Sequence, residues 1–438
     1  MLGKIVVRGG VRLRGRVRVY GAKNASLPLI AASLLPIRGR TMIHDVPTGI
    51  EDVRVIVQLL RSLGVRVTEG VGQVLVRSGD IVSAEAPYDL VCKMRASITV
   101  MGPLLARHRY AKIPLPGGCK IGSRPIDLHL KGLQALGASF RIEKGCVEGR
   151  VVDHLRGANI YLDTPSVGAT QNIMMAATLA KGFTVIKNAA LEPEIIDLSN
   201  FLNAMGAKVR GAGTNEIRIE GVKVLHGCEY TVIPDRIEAG TYMVGAAITR
   251  GEIFIEGAIA DHLTALIAKL REMGVRIHDT QNGIHVEAHR VPLHGVDIQT
   301  QPYPGMPTDL QAQMMALLLT VPGTSLVSET VFENRFMHAE ELRRMGARIR
   351  INGHTAVIDG GYPLSGARVK STDLRAGATM VLAGLAASGQ TEVEGVHHID
   401  RGYVDLEGSL RMLGADVVRV SADSTTSAPS DPLLRRQG

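Results

Sequence analysis

The stretch "KLREMGVRI", residues 269–277, reads as the end of an amphipathic helix, a glycine, and the start of a strand. Glycine is the residue that most readily takes the left-handed conformation with which helices commonly end. The pattern returns as "LLRSLGVRV" (59–67), "LQALGASF" (133–140), "FLNAMGAKV" (201–209), "ELRRMGARI" (341–349) and "SLRMLGADV" (409–417). Its glycines are Gly64, Gly137, Gly206, Gly274, Gly346 and Gly414, spaced 73, 69, 68, 72 and 68 residues. Chance does not space six copies so evenly, so the chain repeats a unit of about 70 residues.

Each unit holds a second kind of helix. These segments are "NASLPLIAASLL" (24–35), "RASITVMGPLLA" (95–106), "TQNIMMAATLA" (170–180), "GTYMVGAAIT" (240–249), "TDLQAQMMALLLT" (308–320) and "RAGATMVLAGLAA" (375–387). They are apolar nearly all round, which places them inside rather than on a surface. Alternating strands follow, as in "GEIFIEG" and "GQTEVEG". The unit is therefore strand, buried helix, strand, amphipathic helix, strands. Six units predict an α/β protein of two pseudo-threefold domains, three units each. The buried helices of each domain would be enclosed by sheets and outer helices.

The 438 residues are long enough for two substantial cores, with 45% apolar and 21% charged residues. No apolar run is long enough to span a membrane, and the N-terminus alternates apolar and basic residues like a strand. Cys92, Cys119, Cys146 and Cys228 form no CxxC pair, so neither a zinc site nor a disulfide framework is expected. A reducing cytoplasm is the expected compartment. The net charge of +8 favours an anionic partner. Nucleic acid is not expected, because aromatic content is 3% with no Trp, leaving few platforms for base stacking. P-loop, GxGxxG, HExxH and GxSxG signatures are absent.

Chemistry gathers at the starts of the buried helices. Lys23 and Asn24 stand at the first and Arg95 at the second, and Ser166, Val167 and Gly168 precede the third. Asp235 and Arg236 precede the fourth, Thr308 and Asp309 open the fifth, and Asp373 and Arg375 the sixth. Helix N-termini offer unpaired N–H groups and a positive dipole end to phosphate or carboxylate. Capping accounts for Ser, Thr, Asp and Asn there, but not for Lys and Arg, which oppose the dipole. A separate glycine-rich loop, "LPGGCKIGSRPIDLH" (115–129), sets Cys119 beside Lys120 and Arg124. Cationic neighbours and exposure favour a reactive thiolate.

With "GAKNASLP" (21–28), "KMRAS" (93–97), "SVGAT" (166–170), "PDRIEAGT" (234–241), "YPGMPTDLQAQ" (303–313), "TVFENRFMH" (330–338), "STDLRAGA" (371–378) and "HIDRGY" (398–403), that loop completes nine motifs in order. Over about residues 3–420 the chain resembles the UDP-N-acetylglucosamine branch of the enolpyruvyl transferase family. The resemblance implies the two-domain inside-out α/β barrel of six repeats. One domain would comprise residues 23–233 and the other residues 1–22 joined to 234–420; the polar, small-residue-rich composition of 421–438 separately predicts a disordered tail. The resemblance also implies transfer of enolpyruvyl from phosphoenolpyruvate to the 3′-hydroxyl of UDP-N-acetylglucosamine. No cofactor, metal or obligate protein partner is implied.

By the same resemblance Cys119, Asp309, Lys23 and Arg401 are catalytic. Lys23, Asn24, Arg124, Arg401 and Cys119 would hold phosphoenolpyruvate. Asn24, Arg95, Arg124, Pro125, Ile126, Asp127, Leu128, Ser166, Val167, Gly168, Asp309 and Val331 would hold the sugar nucleotide. Asp52, His129, Asp373 and Arg375 would support them. Two positions depart from some relatives: Thr164 stands where a Lys is found, and Glu51 where a basic residue is found. Two other readings are weighed: the sister enzyme of the fold, 5-enolpyruvylshikimate-3-phosphate synthase, and a silent sugar-nucleotide-binding paralogue.

Overall fold

The computed structural model describes residues 3–79, 81–115, 125–289 and 292–421. Cys119, Lys120 and Arg124, and the tail from 422 onward, lie outside the described residues.

The third repeat shows the unit most plainly. Strand Asn159–Tyr161 leads to the buried helix Val167–Ala177, then strand Phe183–Lys187 and the outer helix Pro193–Ala204. A hairpin of Lys208–Arg210 and Glu216–Glu220 closes the unit. Phe183–Lys187 pairs antiparallel with the hairpin and parallel with Asn159–Tyr161. Four other sheets have the same four-strand order, one strand always parallel at the edge. In the second repeat three strands pair, and a lone parallel bridge from Glu85 to Lys112 occupies the edge position. The six repeat glycines all adopt positive φ, between 91° and 106°, as C-caps of the outer helices require.

Buried apolar side chains form two separate cores. One runs from Ala22 to Val232; the other combines Ile5–Val19 residues with those from Ile237 to Val417. Helix Leu374–Ala386 buries nearly its whole length and packs against helix Gln311–Leu319, which is buried throughout. Each fully buried Leu or Met contributes about 1.5–3 kcal/mol over an exposed one, which is why these helices need no amphipathic face.

The N-terminal strands are divided between repeats. Lys4–Arg8 lies between Gln390–Glu394 and Asp416–Val420, whereas Arg14–Arg18 is the parallel edge strand of Glu252–Glu256. At the other end of the ring, Glu229–Thr231 joins the first repeat beside Thr41–His44. The two chain crossings between the cores touch: Gly21 bridges Pro234, and the Ala22 N–H donates to the Ile233 carbonyl at 2.7 Å. A Cβ at residue 21 would sit 1.8 Å from the Asp45 carbonyl oxygen, so only glycine fits there.

Candidate active site

Where the cores meet, the starts of the buried helices bring charges together. Lys23 opens helix Lys23–Ala32 and is buried; its Nζ lies 2.7 Å from Asp52 Oδ2. Asp52, in the first turn of helix Glu51–Ser62, also accepts from Arg401 Nε at 2.8 Å and Nη2 at 3.3 Å. One carboxylate thus holds two cations from different cores. Burial works to raise the Asp52 carboxyl, but Lys23 and Arg401 overcome it and hold it below its ordinary value. Burial pushes the Lys23 ammonium below the ordinary lysine value; Asp52 opposes this, and Arg375 and Arg401 reinforce it. The next residues tie the cores too, as the Glu51 N–H donates to the Asp400 carbonyl.

Asp309 lies on the 3₁₀ turn Thr308–Leu310, before helix Gln311–Leu319. It is not a cap: the N-cap positions of the turn and the helix are Pro307 and Leu310, neither with a side-chain bond. Its Oδ1 instead accepts from Arg335 Nη2 at 2.8 Å, and its Oδ2 from Arg375 Nε and Nη2 at 3.3 and 3.2 Å. Arg375 is the second residue of helix Leu374–Ala386, so the two helices begin side by side. Asp373 caps that helix by accepting from the Arg375 and Ala376 N–H groups. Burial alone would lower the Arg375 guanidinium, but Tyr403, Asp309 and Asp235 hold it firmly charged.

A second group lies in the core of residues 22–232. Asn172 accepts from the Gly102 N–H through Oδ1, and its Nδ2 donates to the Ile98 carbonyl and to His129 Nδ1. Burial, then Arg95, pushes His129 down to about 4, so the ring is neutral near pH 7. With Nδ1 accepting, the ring proton sits on Nε2. That nitrogen lies 3.1 Å from where a Cβ on Gly168 would be, at the start of helix Val167–Ala177. Ser166 caps this helix by accepting from the Ala169 N–H. A neutral donor, a cation and helix N–H groups together suit an anion.

The structure therefore gathers Lys23, Asp52, Asp309, Arg375 and Arg401, and separately Arg95, His129 and Gly168. Helix Lys23–Ala32 packs on the segment Arg95–Val100, which links the groups. Asn24, Pro125 and Asp127 are exposed, Ile126 is buried and Leu128 half-buried. Among the described residues the Asn24 and Asp127 side chains take no hydrogen bond, so nothing ties them to either group. Val331 is 37% exposed on a turn. Thr164 is exposed, two residues before the Ser166 cap. Arg335 was not singled out from sequence; its signal was a lone arginine within "TVFENRFMH".

Comparisons with known proteins agree on one group. A family model described as EPSP synthase (3-phosphoshikimate 1-carboxyvinyltransferase) matches residues 7–410. A UDP-N-acetylglucosamine 1-carboxyvinyltransferase 1 from Halalkalibacterium halodurans is 59% identical, over 95% of this chain and 94% of its own. A UDP-N-acetylglucosamine 1-carboxyvinyltransferase 2 from Carboxydothermus hydrogenoformans is 58% identical, over 95% and 99%. Among solved structures, the enolpyruvyl transferase NikO from Streptomyces tendae superposes with a TM-score of 0.86 at 27% identity, covering 96% of this chain and 99% of its own. An EPSP synthase from Acinetobacter baumannii, at TM-score 0.75 and 21% identity over 96% and 100%, shares the fold.

Proposed function

Because this chain belongs to the EPSP synthase family of enolpyruvyl transferases, we propose that it moves the enolpyruvyl group of phosphoenolpyruvate to the 3′-hydroxyl of UDP-N-acetylglucosamine, releasing phosphate. This is the first committed step of peptidoglycan synthesis. The observation that carries the reading is the meeting of Lys23 and Arg401 on Asp52 where the two cores touch, with Arg375, paired to Asp309, close enough to act on Lys23. The identity to UDP-N-acetylglucosamine 1-carboxyvinyltransferases, 56–59% over nearly the whole chain, favours this acceptor over shikimate 3-phosphate.

Phosphoenolpyruvate carries a carboxylate and a phosphate on three carbons, so it needs several fixed cations. Lys23 and Arg401, held by Asp52, supply two, and Arg124 is assigned as a third. Arg95, the His129 Nε2–H and the start of helix Val167–Ala177 are assigned to the sugar nucleotide, with Asn24, the 125–128 segment and Val331. In the addition step Cys119 gives a proton to C3, the 3′-oxygen bonds C2, and Asp309 takes the hydroxyl proton. The resulting ketal then loses a C3 proton and phosphate, restoring the double bond on the sugar. The reacting groups come from two domains, bounded at 23–233 and at 1–22 with 234–420.

No helix among the described residues is long and apolar enough to cross a membrane. We place the protein in the cytoplasm, where its phosphorylated substrates are made. The test is a phosphate-release assay with phosphoenolpyruvate and either acceptor. Release with UDP-N-acetylglucosamine alone is the expected result. Release with shikimate 3-phosphate instead would move the chain to the sister activity, and binding of the sugar nucleotide without release would make it a silent paralogue.

A further inference from the structure

Glu329 is buried, yet its carboxylate accepts hydrogen bonds from four donors on three segments. Oε1 accepts from Thr300 Oγ1 at 2.8 Å, from the Val331 N–H at 2.8 Å and from the Phe332 N–H at 3.2 Å. Oε2 accepts from Thr308 Oγ1 at 2.8 Å. The Thr308 hydroxyl in turn accepts from Arg335 Nη1 at 3.1 Å, and Arg335 Nη2 donates to Asp309 Oδ1 at 2.8 Å. An unbroken chain of bonds therefore runs from the turn that presents Val331 to the Asp309 carboxylate. Closing a turn accounts for the bonds to Oε1, but not for the arm through Oε2.

We propose that Glu329 is a positioning residue that locks the Val331 turn to the Asp309–Arg335 pair through the Thr308 hydroxyl. The inference rests on the reading of Asp309 as base and Val331 as a sugar-nucleotide contact. Both oxygens act only as acceptors. A glutamine must set its amide nitrogen against two backbone N–H groups, or against a Thr308 hydroxyl that already accepts from Arg335. Either way the turn loosens, or the hydroxyl loses the acceptor for its proton. Glu329 also places negative charge near Arg335. Without it, Arg335 and Arg375, with Arg236 also acting on Asp309, bind the Asp309 carboxylate more strongly.

The experiment compares Glu329→Gln, Thr308→Val and Thr308→Ser with the wild type, after thermal melts show each folded. For Glu329→Gln the KM for UDP-N-acetylglucosamine should rise about tenfold, as expected for a lost bond to a charged acceptor. The acid limb of its turnover profile should move down by roughly half a pH unit. Thr308→Val leaves the Val331 turn its acceptor but removes the Thr308 partner of Arg335 Nη1, so Arg335 leans more on Asp309: the limb should move down, by less than in Glu329→Gln, while KM stays within about threefold. Thr308→Ser keeps the hydroxyl and should lie closer to the wild-type limb than Thr308→Val. A Glu329→Gln enzyme that loses turnover with KM and limb unchanged would overturn the proposal, as would a Thr308→Val limb coincident with the wild type. Should the wild type release no phosphate, the reaction assigned above fails, and calorimetry still decides the positioning role. Binding of UDP-N-acetylglucosamine about tenfold weaker in Glu329→Gln supports that role, and equal binding overturns it.

Discussion

Asp309 carries its charge between two buried guanidiniums, and that placement separates its chemistry from its structural role. An asparagine preserves shape and one acceptor oxygen. On the mechanism proposed above it removes the proton acceptor for the 3′-hydroxyl, an effect typically of about 10²–10⁴-fold. It also leaves Arg335 and Arg375 facing a neutral amide. Hydrogen bonds to charged groups contribute about 1.5–3 kcal/mol, so Asp309→Asn should be destabilised by about that amount. Arg375 keeps Tyr403 and Asp235 as partners for its charge, while Arg335 loses the carboxylate bonded to its Nη2. Turnover at least a hundredfold lower, with a melt shifted by that loss, is the expected pair of results. Lost stability with unchanged turnover would leave Asp309 a counter-charge only. At this scale the residue types of the site were legible in sequence, because Lys and Arg at helix starts contradict the dipole. Their partners were not. Thr308, Glu329 and Arg335 are more than twenty residues apart at the extremes, and only the fold sets them in one line. Capping, which accounts for Asp at other helix starts, does not account for Asp309, because the 3₁₀ turn moves the cap positions to Pro307 and Leu310.

Among the elements, the helix starts also join the two cores. Asp235 caps helix Arg236–Ile248 by accepting from the Ile237 and Glu238 N–H groups through Oδ1. Its Oδ2 accepts from the Lys23 N–H at 3.1 Å. One side chain therefore serves the starts of two buried helices, one from each core. An ordinary cap contributes about 1 kcal/mol. Asp235→Ala should therefore cost about 2 kcal/mol or more in denaturant unfolding, and Asp235→Asn, which keeps one acceptor, roughly half of that. A loss of only a few tenths in Asp235→Ala would show that water replaces the carboxylate freely. The periodic features of these elements could be read from sequence because each follows from local physics. A glycine after an amphipathic helix takes positive φ, and a segment apolar all round is buried. Interruptions were less legible. Segment Arg95–Val100 is a 3₁₀ helix that continues as Met101–His108, where a single helix was expected. Strand Gln390–Glu394 is followed at once by the short helix Val396–Ile399, which carries His397 and His398. Such breaks depend on what packs around them, and a single sequence does not display that.

For the whole molecule, the decisive place is the pair of crossings between the cores. The pairing of the N-terminal strands with two different repeats is set by ring closure, and no pattern within residues 1–22 announces it. At the crossing, the Tyr20 N–H donates to Glu238 Oε2 at 2.9 Å and the Tyr242 hydroxyl donates to Oε1 at 2.8 Å. Glu238 is fully enclosed. Burial, then the nearby Asp235 charge, pushes it up to about 8 from an ordinary value of about 4.5, with Tyr20, Tyr242 and Arg375 opposing. In the unfolded chain the same side chain ionises near its ordinary value. Between these limits the folded state holds a proton that the unfolded state has released. The contribution of Glu238 to stability must therefore fall as pH rises through that window, and level off above it. Glutamine mimics the protonated acid: its oxygen can accept from Tyr20, and its amide can donate to the Tyr242 hydroxyl. The stability of Glu238→Gln relative to wild type should then climb from about pH 5 to about pH 8 and stay level beyond. Urea unfolding of both proteins at a series of pH values measures the difference directly. A difference that stays flat across that range, or declines with pH, would mean that Glu238 ionises normally and that the crossing carries no proton.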